Sequence, residues 1–380
     1  MRTTLAITSL GLAASSSCDF ASTYPRQYVA LKTKALSADT LDGDLNKPVW
    51  ANVKFTDDFV DIQGSPDPQP TPRFRTRAKM VYDDTNLYVA AIMEEPDVWA
   101  SITDPQEIIF HDDDFEVFID SNATTYFYKE TEVNAFGALW SLCLNRAYGD
   151  GGYENSTRVM EPGFDMMDHG LTSAVQVQPP NCINDNATPC TSWTVELAMP
   201  LDQIQINATH PVLEGEFWRI DFSRVEWRVL ANDTSPTSYV KDPAYPNEDN
   251  WVWNPIGPIS MHQPDMWGIL QFGNFDTDAA PAEEIYYAEW PARRLAMNTY
   301  YAQHSFASAN NNTYATSVEQ LGEFAPDGEE TFVCGDVEIT LETEFNGFVA
   351  VADLGGYTAT VDQSRFLTVA LRTWAGIQPR

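Results

Sequence analysis

From Leu36 to Phe272 the chain is cut into short alternating or apolar runs, each closed by turn residues such as Gly, Pro, Asn and Asp. A two-residue period puts successive side chains on opposite faces of a strand, so this pattern restricts the fold to an all-β sandwich or barrel. "AKMVY", "DDTN" and "LYVAAIME" read as strand, turn and strand. In "WTVELAMP", Trp193, Val195, Leu197 and Met199 share one face and Thr194 and Glu196 the other, which predicts a half-buried strand. "FWRIDFSRVEW" and "WGILQF" obey the same rule. The expected class is an antiparallel β-sandwich of jelly-roll or immunoglobulin-like type. With 43% hydrophobic residues in a chain of 380, there is enough apolar material for a sizeable core.

After Phe275 the pattern changes. "EWPARRLAMNTYYAQHSF" carries Trp290, Met297 and Tyr301 near helical spacing, with Pro291 placed where a first turn tolerates it. "YATSVEQL" predicts a second short helix, and "DVEITLETEFNGFVAVA" and "GYTATVDQSRFLTVAL" predict strands. Residues 28–275 are therefore read as the sandwich and 276–380 as a small α+β unit. The Pro-rich stretch 63–72 and the long "RVLANDTSPTSYVKDPAYPNED" are read as exposed loops.

The start, "MRTTLAITSLGLAASSSC", has one basic residue, an apolar stretch and then small residues, the layout of a secretory signal over residues 1–17. It is too short to span a bilayer, and no later apolar run reaches that length, so a secreted, extracellular protein with no membrane span is expected. N-x-S/T sequons at Asn122, Asn155, Asn186, Asn207, Asn232 and Asn311 suit a glycosylated surface. In an oxidising compartment Cys182 and Cys190 should pair across their short loop; Cys143 and Cys334 either pair or stay as buried thiols, and Cys18 stands at the cleavage point. The net charge of -33, with no local basic stripe, excludes a nucleic-acid partner and suits neutral ligands or divalent cations such as calcium.

The residues most able to carry chemistry lie in "FHDDDFEVFID", 110–120. Alternation sends Phe115, Val117 and Ile119 one way and Glu116, Phe118 and Asp120 the other. In the next run Tyr126, Tyr128, Glu130, Glu132 and Asn134 share a face, and a polar, aromatic row of this kind suits sugar recognition: rings stack on C–H faces while carboxylates and amides meet hydroxyls. Asp112, Asp113 and Asp114 read either as a solvated loop or as a calcium site, though their spacing fits no calcium-loop template. Trp99, Trp140, Trp251 and Trp253 are each either core residues or stacking platforms.

Taken in order, "LDGDLNKPVW", "MVYDDTNLYVAA", "DDDFEVFID", "VNAFG", "WTVELAMP" and "WGILQF" resemble the family 9 carbohydrate-binding modules and their relatives over Leu36 to Phe272. The resemblance implies a β-sandwich that binds sugar, in a family often attached to xylan-degrading enzymes and including members with structural calcium. It places the binding carboxylate on Glu116 and the binding amide on Asn134. The two tryptophans that grip a terminal sugar in that family fall on Phe110 and Met261, and a basic residue falls on Glu132, so Trp99, Trp253 or His262 would rebuild the slot. "MNTYYAQHSFASANNNTYATSVEQL" is faintly similar to the helix and following turn of pilin-like proteins, and no function is carried over from it.

The function expected is binding of plant or algal polysaccharide or oligosaccharide without covalent chemistry, in support of carbohydrate catabolism by glycoside hydrolases. Two alternatives belong to other classes. A haem-binding redox sandwich would use Met261 or His262, which as strand neighbours point to opposite faces, with Met80, Met93 or His111 as partner. A glycoside hydrolase would use Glu116 with Glu132 or Asp114.

Overall fold

The structure is a computed structural model, described over residues 18–64, 71–205, 210–276, 283–342 and 346–372. The leader at 1–17 and the sequon at Asn207 lie outside the described residues. Two compact units divide the chain: one takes in Pro25–Tyr287 with Ser364–Thr368, the other the remainder.

In the larger unit all but two of the described strands of Pro25–Tyr287 form one curled, mixed sheet. Its pairings are antiparallel except at Gln27–Lys32, which runs parallel to both Gly268–Asp276 and Thr76–Tyr82. That strand joins two halves, one containing Tyr128–Asn134, Asp114–Asp120 and Phe217–Glu226, the other Asn86–Glu94 and Ser192–Pro200. The halves fold over a shared core, in which Phe115, Val117, Ile119 and Phe222 from the first meet Met80, Val89, Ala91, Val195 and Leu197 from the second. The long segment read as a loop after Glu226 contains a short hairpin, Val229–Ala231 with Tyr239–Lys241.

The strand Ser192–Pro200 departs from the half-buried expectation in an informative way. Trp193, Val195, Leu197 and Met199 face the core, but Thr194 and Glu196 on the other face are buried too. Residues 42–50 cover them. Glu196 accepts the backbone N–H groups of Asp42 at 3.0 Å and Gly43 at 2.8 Å, the Trp50 indole N–H at 2.7 Å and the Lys47 ammonium at 2.6 Å. Gly43 has φ of 80°, and a Cβ there would sit 2.8 Å from the Gln176 nitrogen, so only glycine fits. The run "LDGDLNKPVW" is thus a cap built around one buried carboxylate, ending in the short helix Pro48–Ala51.

Cys182 and Cys190 pair as expected, with Cα atoms 5.3 Å apart. The pairing of Cys334 is corrected: its partner is Cys18, at a Cα separation of 5.2 Å, and Cys143 is a free thiol. In the smaller unit, the helix Trp290–Ala309 begins with proline in its first turn and buries Trp290 and Met297, while Tyr301 is half-buried. It packs against the antiparallel strands Gly347–Leu354 and Tyr357–Asp362. The segment read as a second helix forms a single 3-10 turn at Val318–Gln320.

Removing Glu196 would leave three N–H donors without their acceptor against the sheet, while Lys47 would keep Asp42 at 2.7 Å. Glu196→Ala is expected to lower the unfolding free energy by about 3–5 kcal/mol in urea titration. A loss below about 1 kcal/mol would show that the cap is held by something else.

Candidate functional site

The strand Asp114–Asp120 lies between Tyr128–Asn134 and Phe217–Glu226. Register sets Glu116 opposite Glu132 on one side and Ser223 on the other, and Phe118 opposite Glu130 and Asp221. The odd-numbered residues enter the main core. The even-numbered face is also covered, by a second cluster that includes Phe118, Tyr128, Trp140, Met261 and Trp267. Within this second layer lies a cavity of about 320 Å³. Carboxylates of Glu116, Glu130, Glu132 and Glu248 line it together with the rings of Phe110, Phe118, Trp140, Tyr148 and His262, and with Met261.

Of the residues singled out in the sequence, Phe110, Glu116 and His262 meet at this cavity, joined by Met261 and Glu132. Asn134, Trp99 and Trp253 do not line it. Asn134 is fully committed to a turn: its Nδ2 donates to the Ile102 carbonyl and to Asp112, both at 2.9 Å, and its Oδ1 accepts from the Phe136 and Ala138 amides. Trp253 is buried against Phe222, with ring centroids 5.9 Å apart, and over Gly268, where a Cβ would come within 2.4 Å of the indole. Trp99 is buried with the Lys241 ammonium 5.8 Å from its ring centroid. Tyr148 and Glu248 carry no signal in their local sequence, because loops distant in the chain bring them to the wall.

The three consecutive aspartates are neither a solvated loop nor one metal site. Each is buried, and each faces different neighbours. Asp112 accepts the Ser101 amide and hydroxyl at 2.8 and 2.7 Å, the Ile102 amide at 2.8 Å and the Asn134 amide group. Asp113 accepts the Trp227 amide at 2.7 Å and stands with Glu95 and Glu226. Asp114 stands with Glu116 and Glu132. The haem alternative is not assembled either: Met80 and Met93 lie in the main core, Met261 in the second cluster, and His111 is exposed. The pairs weighed for hydrolysis, Glu116 with Glu132 or Asp114, are neighbours on one wall rather than groups facing each other across a cleft.

Burial dominates the electrostatics of the cavity. It pushes the Glu116 carboxyl up to about 7, with the Ser223 hydroxyl opposing the rise and the Glu248 charge adding to it. Glu132 is held well above its ordinary range by burial and by Asp114, Glu116 and Glu130; the Phe110 amide, which donates to it at 3.0 Å, only partly offsets this. Glu130 and Asp114 are raised for the same reason, burial first and neighbouring carboxylates second. His262 is lowered to about 4 by burial and is neutral near pH 7, its Nδ1 2.9 Å from the Tyr128 hydroxyl. The result is a pocket of aromatic surface and hydrogen-bonding oxygens, suited to a ligand with C–H faces and many hydroxyls.

Fold and cavity together define a β-sandwich with an acid- and aromatic-lined pocket on one sheet face. Residues 41–177 match the family model for the carbohydrate family 9 binding domain-like group. Among solved structures, the chain is similar to a candidate carbohydrate-binding protein from Bacteroides uniformis ATCC 8492, with 15% identity, TM-score 0.43, and coverage of 65% of this chain and 99% of the other. It is also similar to a family 9 carbohydrate-binding module from Caldicellulosiruptor kristjanssonii in complex with cellotriose, with 14% identity, TM-score 0.41, and coverage of 68% and 100%. The complex of such a module with glucose, from the same organism, gives 13% identity, TM-score 0.39, and coverage of 67% and 100%. A comparison with curated proteins returns no match. Among the described residues no helix is long and apolar enough to cross a membrane.

A carboxyl whose pKa is higher in the folded state than in the unfolded chain binds its proton more tightly in the fold. Its stabilising effect is complete below the unfolded value, 4.5 for Glu116, and is lost as pH climbs through about 7. Unfolding free energy should therefore fall across this window, by about 3 kcal/mol from Glu116 alone. Glu116→Gln should flatten the decline in urea titrations across the window; an unchanged pH profile in that variant would show that Glu116 is not the titrating group.

Proposed function

We propose that the larger unit is a secreted carbohydrate-binding module that holds a neutral oligosaccharide in the cavity without covalent chemistry. The observation that carries this reading is the convergence of Phe110, Trp140 and Tyr148 with Glu116, Glu132 and His262 at one cavity, inside a chain whose residues 41–177 match a carbohydrate-binding family model. The rings offer faces and edges to a pyranose, and the carboxyls and imidazole accept or donate to its hydroxyls. A net charge of -33 disfavours polyanionic glycans, which leaves neutral plant or algal polysaccharides as the ligand class. Secretion is supported by the apolar leader, the Cys182–Cys190 and Cys18–Cys334 disulfides and the exposed sequons at Asn122 and Asn311. In such a role the module would keep glycoside hydrolases close to their polymer.

Titration with xylo- and cello-oligosaccharides, followed by tryptophan fluorescence, is expected to give dissociation constants of about 1 μM to 1 mM. Loss of a charge-assisted hydrogen bond is worth roughly 1.5–3 kcal/mol, so Glu116→Gln should weaken binding about tenfold or more while the protein stays folded. Phe110→Ala should weaken it by loss of stacking. Absence of binding across a panel of plant and algal glycans would overturn the reading.

A further inference from the structure

Two trios of buried carboxylates lie along the same strands, and their surroundings differ. Glu95, Asp113 and Glu226 already surround a cation. The buried Arg224 reaches Glu95 at 2.6 Å and Glu226 at 2.7 Å, Arg73 reaches Glu226 at 3.1 Å, and Asp113 accepts an amide N–H. Asp114, Glu116 and Glu132 also bring carboxylate oxygens within 4.8 Å of one another, yet among the described residues no lysine or arginine lines the cavity beside them. On the facing strand the positions opposite Asp114 and Glu116 are Val225 and Ser223.

Hydrogen bonding does not replace the missing charge. Neither oxygen of Asp114, a fully buried side chain, accepts a hydrogen bond; the Val225 amide is near enough to ease its charge but outside hydrogen-bonding geometry. Oε2 of the neighbouring Glu130 is likewise without a partner. Buried carboxyls that find no cationic side chain either hold a proton, which the raised pKa values of Asp114 and Glu132 favour, or give up that proton to a coordinated metal. Oxygens that share one Ca²⁺ ion lie at most about 4.8 Å apart, twice the Ca–O distance, which the trio satisfies.

We propose that Asp114, Glu116 and Glu132 form a binding site for a hard divalent cation, Ca²⁺, at the floor of the cavity. An all-oxygen donor set selects hard cations, and an irregular, carboxylate-rich one favours Ca²⁺ over Mg²⁺, which demands near-ideal octahedral geometry. Glu116 and Glu132 line the cavity, so the remaining coordination positions face it and are filled by water or ligand hydroxyls. The site is not the run Asp112–Asp114: Asp112 is saturated by donors, and Asp113 belongs to the arginine-bearing trio. It stands independently of the carbohydrate reading, because ion binding is measured without sugar.

The test is calcium titration of the full chain after chelator treatment, by calorimetry and by melting temperature, in the wild type and in Asp114→Asn. The wild type should take up calcium and melt higher with it. Asp114→Asn, which removes one buried ionisable group at nearly constant shape, should melt at or above the wild type without calcium and bind calcium at least tenfold more weakly. Terbium luminescence sensitised by Trp140, on the cavity wall, gives a readout in the wild type that needs no variant. The proposal is overturned if the wild type takes up no calcium and sensitises no terbium, or if Asp114→Asn binds calcium as tightly as the wild type. It is equally overturned if the variant melts lower without calcium and the wild type gains nothing from the ion.

Discussion

The larger unit depends on the antiparallel pairing of Asp114–Asp120 with Phe217–Glu226, because both faces of that pair are covered. In a sheet with one wet face, alternation sorts apolar side chains inward and polar ones outward. Here Phe115, Val117 and Phe222 fill the main core, while Trp140, Met261 and Trp267 roof the other face. Polar residues on the roofed face cannot reach bulk water except through the cavity. The acidic row on the even positions is therefore a buried row, and the character of the pocket follows from that one condition.

Four solutions to buried charge coexist in this unit, and magnitudes separate them. Taking a carboxylate out of water costs several kcal/mol, whereas a hydrogen bond to a charged group returns roughly 1.5–3 kcal/mol. Glu196, with three N–H donors and the Lys47 ammonium, is offset. Asp112, with four donors, is offset by hydrogen bonds rather than by a salt bridge. Glu95 and Glu226 share the Arg224 guanidinium, which only partly offsets burial: Glu95 and the adjacent Asp113 are still raised well above their ordinary range. Glu132 has the Phe110 amide alone, which does not balance burial beside Asp114, Glu116 and Glu130, and its pKa rises accordingly. Glu116 follows the same logic.

Much of the sheet was legible because a period of two survives burial: the placement of Glu116, Glu130 and Glu132 on one face needs only the pleat. What local pattern cannot encode is the roof. Residues 256–267 and Tyr148 reach the even face from elsewhere in the chain, so a run such as "HDDDF" looks like a solvated loop when read alone. The same blindness applies to Trp253, whose exclusion from the cavity depends on the missing side chain of Gly268, and to Thr194 and Glu196, covered by residues 42–50. Cystine pairing over 316 residues, Cys18 to Cys334, is beyond any local rule. Asn134 shares the face of Glu130 and Glu132, as the pleat requires, while the hydrogen bonds its side-chain oxygen makes to the turn at Phe136–Ala138 are not written in the alternation.

The contrast between the two carboxylate trios comes down to a single step along one strand. Asp113 and Asp114 are adjacent, yet the pleat sends them to opposite sides, and the facing strand Phe217–Glu226 alternates in the same way. Arg224, paired in register with Phe115, therefore points to the side of Asp113 and finds Glu95 and Glu226 there. Ser223 and Val225 point to the side of Asp114 and bring no charge. Because both faces are packed, the strand cannot slip to share its guanidinium without carrying Phe222 out of the core. Arginine on one face and serine with valine on the other is thus a fixed asymmetry of the fold, and it concentrates uncompensated oxygen donors on the side where the sheet opens into a cavity.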